Sequence, residues 1–304
     1  MEALTKIVVI GASADGMANL GASVVEELKK DGSFEITVVS RKSSSTATEG
    51  VNLIKVDDSF LQDELEKAFF GQDAVVMTTN FQIFGQEDKF INAAVKAGVK
   101  RFIPSDFGSN TGNPNTLAMF PMMGGKARVN GELEAKAKEG SGLTWTAIST
   151  GLFLDIGLMT GFLGYDLKEH AATIWDDGNT KFSASTKGNV AKAVCRVLRN
   201  PEVTANQHVF VSSLETSMNE ILCALEKGQG VKYSVSHTKA EEEVAYGKAM
   251  LAKGEFMKSH KLLLAANLIP GYGNNFAEEE KLWNGVLGVP RESIDDVVGQ
   301  IVRG

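Results

Sequence analysis

The stretch Lys6–Leu28, KIVVIGASADGMANLGASVVEEL, decides how the rest of the chain is read. Ile7, Val8, Val9 and Ile10 form an unbroken apolar run of strand length, the pattern of a parallel strand covered by helices on both faces. From Leu20 onward Val24, Val25 and Leu28 recur at helical spacing, and Asn19 is placed to cap that helix. Between strand and helix lie Gly11, Gly16 and Gly21. Glycines in such a turn let backbone N–H groups approach a pyrophosphate, above a helix N-terminus that carries about half a positive charge. The unit therefore predicts a dinucleotide site, although its glycines depart from the usual G-x-G-x-x-G spacing. Gly11 and Gly16 have P-loop spacing, but Met17 and Ala18 stand where that motif needs Lys and Ser/Thr, which excludes a nucleoside triphosphatase.

Outward from this unit, strands and helices alternate. Glu35–Ser40 reads as a second strand and ends in Arg41 and Lys42. In dinucleotide folds this position meets the adenosine ribose, where a carboxylate would take the NAD 2′-OH and a cation would pair a 2′-phosphate. Arg41 offers phosphate a planar fork, with Lys42 beside it, so NADP(H) is favoured over NAD(H). Val51–Val56 is a third strand, and Ser59 with Gln62 predicts a capping box for a helix to Phe70. Asp73–Thr79 is a fourth strand running into Asn80 and Phe81; a helix over Gln86–Ala97 ends at Gly98, and Lys100–Pro104 is a fifth strand, followed by Ser105. Ligands of open α/β sheets sit at the carboxyl ends of strands, which makes Thr79, Asn80, Phe81 and Ser105 cofactor-facing candidates. The alternation predicts an α/β fold with a Rossmann-type doubly wound parallel sheet.

The polar, glycine-rich stretch Ser109–Gly125 reads as a long loop, either a wall or lid over the site or disordered. Lys126–Lys138 is helical, and Leu143–Ser149 is a sixth strand delivering Thr150, Gly151 and Phe153 to the same sheet edge. Residues 1–150 are thus expected to form the dinucleotide domain and 151–304 a smaller α+β substrate region, able to return strands or helices to the first domain. Leu152–Leu167 fits a pocket lining and a plain core segment equally well. Capping boxes are predicted at Ser217/Glu220 and Thr238/Glu241, with strands near Gln207–Ser212 and Tyr233–Ser236.

A chain of 304 residues with 43% apolar and 23% charged residues is an ordinary soluble protein. Its net charge of −7, without any Lys/Arg block, gives no electrostatic basis for binding nucleic acid or an anionic membrane, so partners are expected to be small molecules. Cys195 and Cys223 lie in helical patterns without C-x-x-C spacing, which predicts buried free thiols, a reducing compartment and a cytoplasmic location. No apolar run approaches the roughly 18 residues of a membrane span. His170, His208, His237 and His260 are scattered without ligand spacing, so no metal is expected. Neither a G-x-S-x-G elbow nor a Tyr-x-x-x-Lys dyad is present. Lys126 is then the candidate acid or base, because it opens a helix whose dipole disfavours a cation and partial burial would lower its pKa further. Ser105, Asp106 and Asp155 stand next in line.

IVVIGAS, NLG, Arg41, GQEDKFINAAVKAGVKRFIPSDFG, KARVNGELEA and LTWTAISTGLF, with ETSMNEILCALE and GYGNNFAEEEKLWNGVLG further on, together resemble the isoflavone reductase-like, NmrA-like branch of atypical short-chain dehydrogenases, in a fungal form. The resemblance implies an NADP-binding Rossmann domain and reduction of an aromatic or heteroaromatic secondary metabolite at a C=C, C=O, C=N or benzylic position. It implies general acid or base chemistry at the lysine of a K-x-x-V/I-R-x-x-I/L-E helix, matched by Lys126, Val129, Leu133 and Glu134, with Asn130 in place of the arginine. Gly11, Ser13, Asn19, Leu20 and Gly21 correspond to the family's phosphate cradle, Arg41 to its 2′-phosphate contact and Phe153 to a position beside the nicotinamide. The cradle is lengthened, so that ADGMA stands where one glycine is usual; Gly16 replaces that glycine or the loop bulges outward. Two other roles occur among similar proteins: an NADP-sensing regulator without catalysis, and a cofactor-bound cyclase using acid catalysis on an iminium.

Overall fold

The computed structural model describes residues 3–12, 19–44, 49–79, 83 and 85–303. Strands and helices largely alternate in its first half: β1 (Lys6–Ile10), α1 (Leu20–Asp31), β2 (Glu35–Arg41), β3 (Asn52–Val56), α2 (Gln62–Phe69), β4 (Ala74–Met77), α3 (Glu87–Lys96), β5 (Arg101–Ile103), α4 (Pro114–Met119), α5 (Gly124–Lys138) and β6 (Thr144–Ser149). Shorter elements follow: β7 (Leu152–Phe153), α6 (Leu154–Met159), β8 (Tyr165–Asp166), β9 (Ala171–Trp175), β10 (Phe182–Ser185), α7 (Lys187–Arg199), β11 (Gln207–Phe210), β12 (Leu214–Thr216), α8 (Met218–Gln229) and β13 (Ser234–Thr238). The chain closes with helices α9 (Ala240–Ala252), α10 (Lys261–Leu268), α11 (Phe276–Glu279), α12 (Asn284–Leu287) and α13 (Ile294–Arg303).

Among the described residues seven strands form one parallel sheet in the order β11-β6-β5-β4-β1-β2-β3. The unbroken apolar run of β1 follows from its place between β4 and β2. Ile7 and Val9 enter a core with Val24, Val25 and Leu28 of α1 and Val190, Val194 and Val197 of α7. Val8 and Ile10 enter a second core on the opposite face with Leu65 and Phe69 of α2, Phe90 and Ile91 of α3, and Val129 and Leu133 of α5. Two three-stranded sheets, β12-β10-β7 and β13-β9-β8, build the C-terminal part around a third core shared with α8, α10 and α13. Within it, Leu152–Leu167 supplies β7, α6 and β8 and contributes buried Leu154, Leu158, Leu163 and Tyr165.

Several local expectations are corrected. Ser59 does not cap α2: the helix begins at Gln62 without a side-chain cap, and the Ser59 hydroxyl and amide both bond to Asp57 Oδ1, at 2.7 and 3.0 Å. Aspartate two residues upstream closes its own Asx turn before the helix can use the serine. Thr238 ends a strand and donates to Glu243 at 3.0 Å, so only Ser217 and Glu220 form the reciprocal box. Ser109–Gly125 is not a featureless loop. Asn113 accepts from Asn115 N at 2.9 Å and Pro114 occupies the first helical turn, the two features that start α4. Asn115 Nδ2 donates to the Gly271 carbonyl at 3.1 Å and the Thr116 hydroxyl bonds the Tyr272 carbonyl, which pins α4 under the C-terminal part. Cys195 is buried, but Cys223 is exposed, because α8 turns Met218, Ile221 and Leu225 inward.

Candidate active site

The glycine turn is a place where backbone replaces side chain. Thr78, just past β4, donates its amide and its hydroxyl to the Ile10 carbonyl, both at 2.8 Å. Gly11 has φ +96°, and a Cβ there would lie 2.7 Å from the Thr78 oxygen. A Cβ on Gly21 would lie 2.5 Å from Thr78 Oγ1 and 2.7 Å from the Ala12 nitrogen. Neither position has room for alanine, so the end of β1 and the first turn of α1 close on each other with main chain uncovered. Asn19 fixes the junction, its Oδ1 accepting from Ala22 N at 3.0 Å and its Nδ2 donating to the Ala12 carbonyl at 3.3 Å, while Leu20 is buried beneath. This bare cradle over a helix N-terminus fits a dinucleotide pyrophosphate. Ser13, Gly16, Asn80 and Phe81 lie outside the described residues.

At the end of β2 the two cations differ. Lys42 pairs with Glu64 at 2.9 Å, and its amide donates to the Val56 carbonyl at 2.8 Å. Arg41 is exposed, and among the described residues no carboxylate lies within ion-pair distance of it. Asp58 acts on it from beyond that distance, so among the described residues its fork makes no ion pair.

Thr79, Ser105, Asp106 and Lys126 line one cleft with Met77, Glu87, Pro104 and Val129, at the carboxyl ends of β4 and β5. The Ser105 hydroxyl donates to the Thr79 carbonyl at 2.6 Å, tying the two strand ends together. Lys126, the third residue of α5, donates from Nζ to the Phe107 carbonyl at 3.1 Å. Burial pushes the ammonium's pKa below the usual lysine range, and the Asp106 charge partly offsets that fall. Behind it Asp106 is 1% exposed. Its Oδ2 accepts from Thr111 Oγ1 and from Asn130 Nδ2, each at 2.7 Å, whereas Oδ1 has no hydrogen-bond partner. His208 Nε2 lies 3.8 Å from Asp106 Oδ2 and 2.9 Å from Ser149 Oγ. One nitrogen serves both contacts and Ser149 is fully buried, so this is not a nucleophilic serine triad, which needs opposite ring nitrogens. Burial pushes the His208 pKa down.

The remaining candidates divide. Phe153, half-buried at the start of α6, packs against the core that holds Ala12 and Leu20. Asp155 accepts from Lys187 N and Ile156 N, both at 2.9 Å, and so ties the first turn of α7 to that of its own helix. Sequence reasoning missed Thr78, Thr111 and His208. A threonine at a strand end carries no distinguishing pattern, and His208 reaches Asp106 only because β11 joins the sheet beside β6. Among the described residues no cluster of three or more His, Cys, Asp or Glu could hold a metal, and no helix is long and apolar enough to cross a membrane.

The model of the NmrA-like family matches residues 4–261. The chain is 35% identical over 300 residues to "Oxidoreductase aprR" of Aspergillus flavus, covering 98% of this chain and 99% of that protein. Among solved structures it resembles isoflavone reductase, with TM-score 0.73, 20% identity and coverage of 98% and 99%. It also resembles the binary complex of leucoanthocyanidin reductase with NADPH from Vitis vinifera, with TM-score 0.75, 17% identity and coverage of 98% and 100%.

Proposed function

The chain belongs to the NmrA-like family, and from that membership we propose that it is an NADP(H)-dependent oxidoreductase that reduces an aromatic or heteroaromatic secondary metabolite, with Lys126 as the general acid or base. The reading is supported by the relative named an oxidoreductase and by the likeness to a reductase crystallised with NADPH. The observation that carries it is the placement of an ammonium with a lowered pKa in a cleft at the strand ends, beside Thr79 and Ser105. The bare turn at Gly11 and Gly21 would hold the pyrophosphate, and Arg41 the 2′-phosphate. When bound, the reduced nicotinamide supplies the hydride. Lys126 supplies the proton that must accompany it: the ammonium is anchored on the Phe107 carbonyl, so its position is set before substrate arrives. Ser105, locked to Thr79, fixes the floor between the two strand ends.

Titration with NADPH and NADH tests the cofactor. Tighter binding of NADPH, with a loss of about 1.5–3 kcal/mol in Arg41→Ala as expected for a charge-assisted bond to phosphate, supports the assignment. Equal affinity for both cofactors, or unchanged NADPH affinity in the variant, removes it. Consumption of NADPH across a panel of aromatic enones, ketones, imines and benzylic ethers tests the reaction, and turnover without cofactor oxidation would sink the reductase reading.

A further inference from the structure

Asp106 is an unusual counter-charge. It is a buried carboxylate, and both of its hydrogen-bond donors, Thr111 and Asn130, are neutral. Among the described residues no Lys or Arg nitrogen lies within 4 Å of it, and Oδ1 is left without a donor. The other carboxylates around the cleft share one cation or take neutral donors. Glu87, from the first turn of α3, takes Arg128 at 3.5 Å and the Gly85 amide at 2.7 Å. Arg128 also takes Asp88 at 2.6 Å and Glu132 at 3.3 Å. From β11, His208 approaches Asp106, but burial favours its neutral form, and Glu280 is bonded by Asn110 Nδ2 at 2.8 Å. The Asp106 charge therefore acts on the remaining cation of the same cleft, Lys126.

We propose that Asp106 is a positioning residue for Lys126: Asn130 and Thr111 hold its carboxylate with neutral donors, so that its charge stays uncompensated and keeps the neighbouring amine protonated until the proton is delivered. The proposal rests on the assignment of Lys126 as proton donor, and it gives Asn130 a function. A cation at position 130 would neutralise Asp106 and release Lys126 from its influence; a neutral amide leaves the charge in place. Removing a negative charge from beside an ammonium lowers its pKa, so both Asp106→Asn and Asn130→Arg are expected to move Lys126 in the same direction, downward.

The test reads the amine itself. Acetic anhydride labels only the neutral amine, and the peptide carrying Lys126 can be followed by mass spectrometry as pH rises in the full-length protein. A fall of one unit in the midpoint makes labelling at a fixed lower pH about tenfold faster, which is the change expected in either variant. A parallel shift of the lysine limb in the pH profile of turnover is expected as well. If Asp106→Asn does not fold, Asn130→Arg carries the test, because it pairs the carboxylate instead of removing it. Labelling curves that overlay the wild type in the folded variants, or that move to higher pH, would overturn the proposal. A shifted curve in a protein that oxidises no NADPH would keep the Asp106–Lys126 coupling and remove the reductase reading instead.

Discussion

Lys126 is where sequence and geometry meet at the scale of one residue. Its position at the start of α5 was legible, because the helix dipole disfavours a cation in the first turn. What surrounds it was not, since Asp106 and Thr111 meet His208 from a distant strand and each is unremarkable locally. If the ammonium relays the proton accompanying hydride transfer, Lys126→Ala should lower turnover by about two to four powers of ten, the usual worth of a general acid or base. Affinity for NADPH should change far less. Lys126→Arg keeps the charge but does not release its proton at any accessible pH, so it should bind cofactor and remain impaired. Near wild-type kcat in the alanine variant, measured on a substrate that consumes NADPH, would reduce Lys126 to a structural lysine.

Elements were legible to the extent that their signals are local. The βα unit at the N-terminus, the Asn19 cap and the Ser217/Glu220 box all formed, because each is decided within a few residues. The same Ser/Thr-x-x-Glu/Gln pattern failed at Ser59 and Thr238, where Asp57 and a strand pairing with β9 took the side chain or the backbone first. Two helical glycines make opposite predictions on this basis. Gly21→Ala places a Cβ against Thr78 and the Ala12 backbone, so it should destabilise by about 1–3 kcal/mol, as overpacking does, and weaken NADPH binding. Gly131, exposed in the interior of α5, has open space around it, and its replacement by alanine should stabilise by about 0.5–1 kcal/mol. Urea unfolding of both variants checks the pair; equal and opposite signs from those expected would mean that the close approach at Gly21 does not constrain the turn.

The whole molecule is tied together across the boundary expected near residue 150. A boundary near residue 150 falls naturally after six alternating strands, yet the sheet takes its seventh strand from beyond it: β11 lies parallel to β6, with His208 opposite Ala147 and Phe210 opposite Ser149. The two faces of the sheet differ in the same respect. Among the described residues, the core containing α2, α3 and α5 is built from residues before 150. The other core sets α1 against α7 and also draws in Val209, Val211, Leu287 and Val289. A fragment of residues 1–150 would keep the first core and expose Val24, Val25 and Leu28 of α1, along with the unpaired edge of β6. Burying a side chain of that kind is worth about 1.5–3 kcal/mol, and several are uncovered at once against a net stability of about 5–15 kcal/mol. The exposed edge adds a template for association. The fragment is therefore expected to aggregate or to unfold without a cooperative transition, and to bind NADPH far more weakly than the full chain, although it holds Gly11, Gly21, Arg41 and Lys126. Size-exclusion chromatography, near-ultraviolet circular dichroism and NADPH titration decide this together. A monomeric fragment with a sharp melt and full cofactor affinity would show that the first 150 residues are an independent dinucleotide domain, and that β11 and α7 merely lean on it.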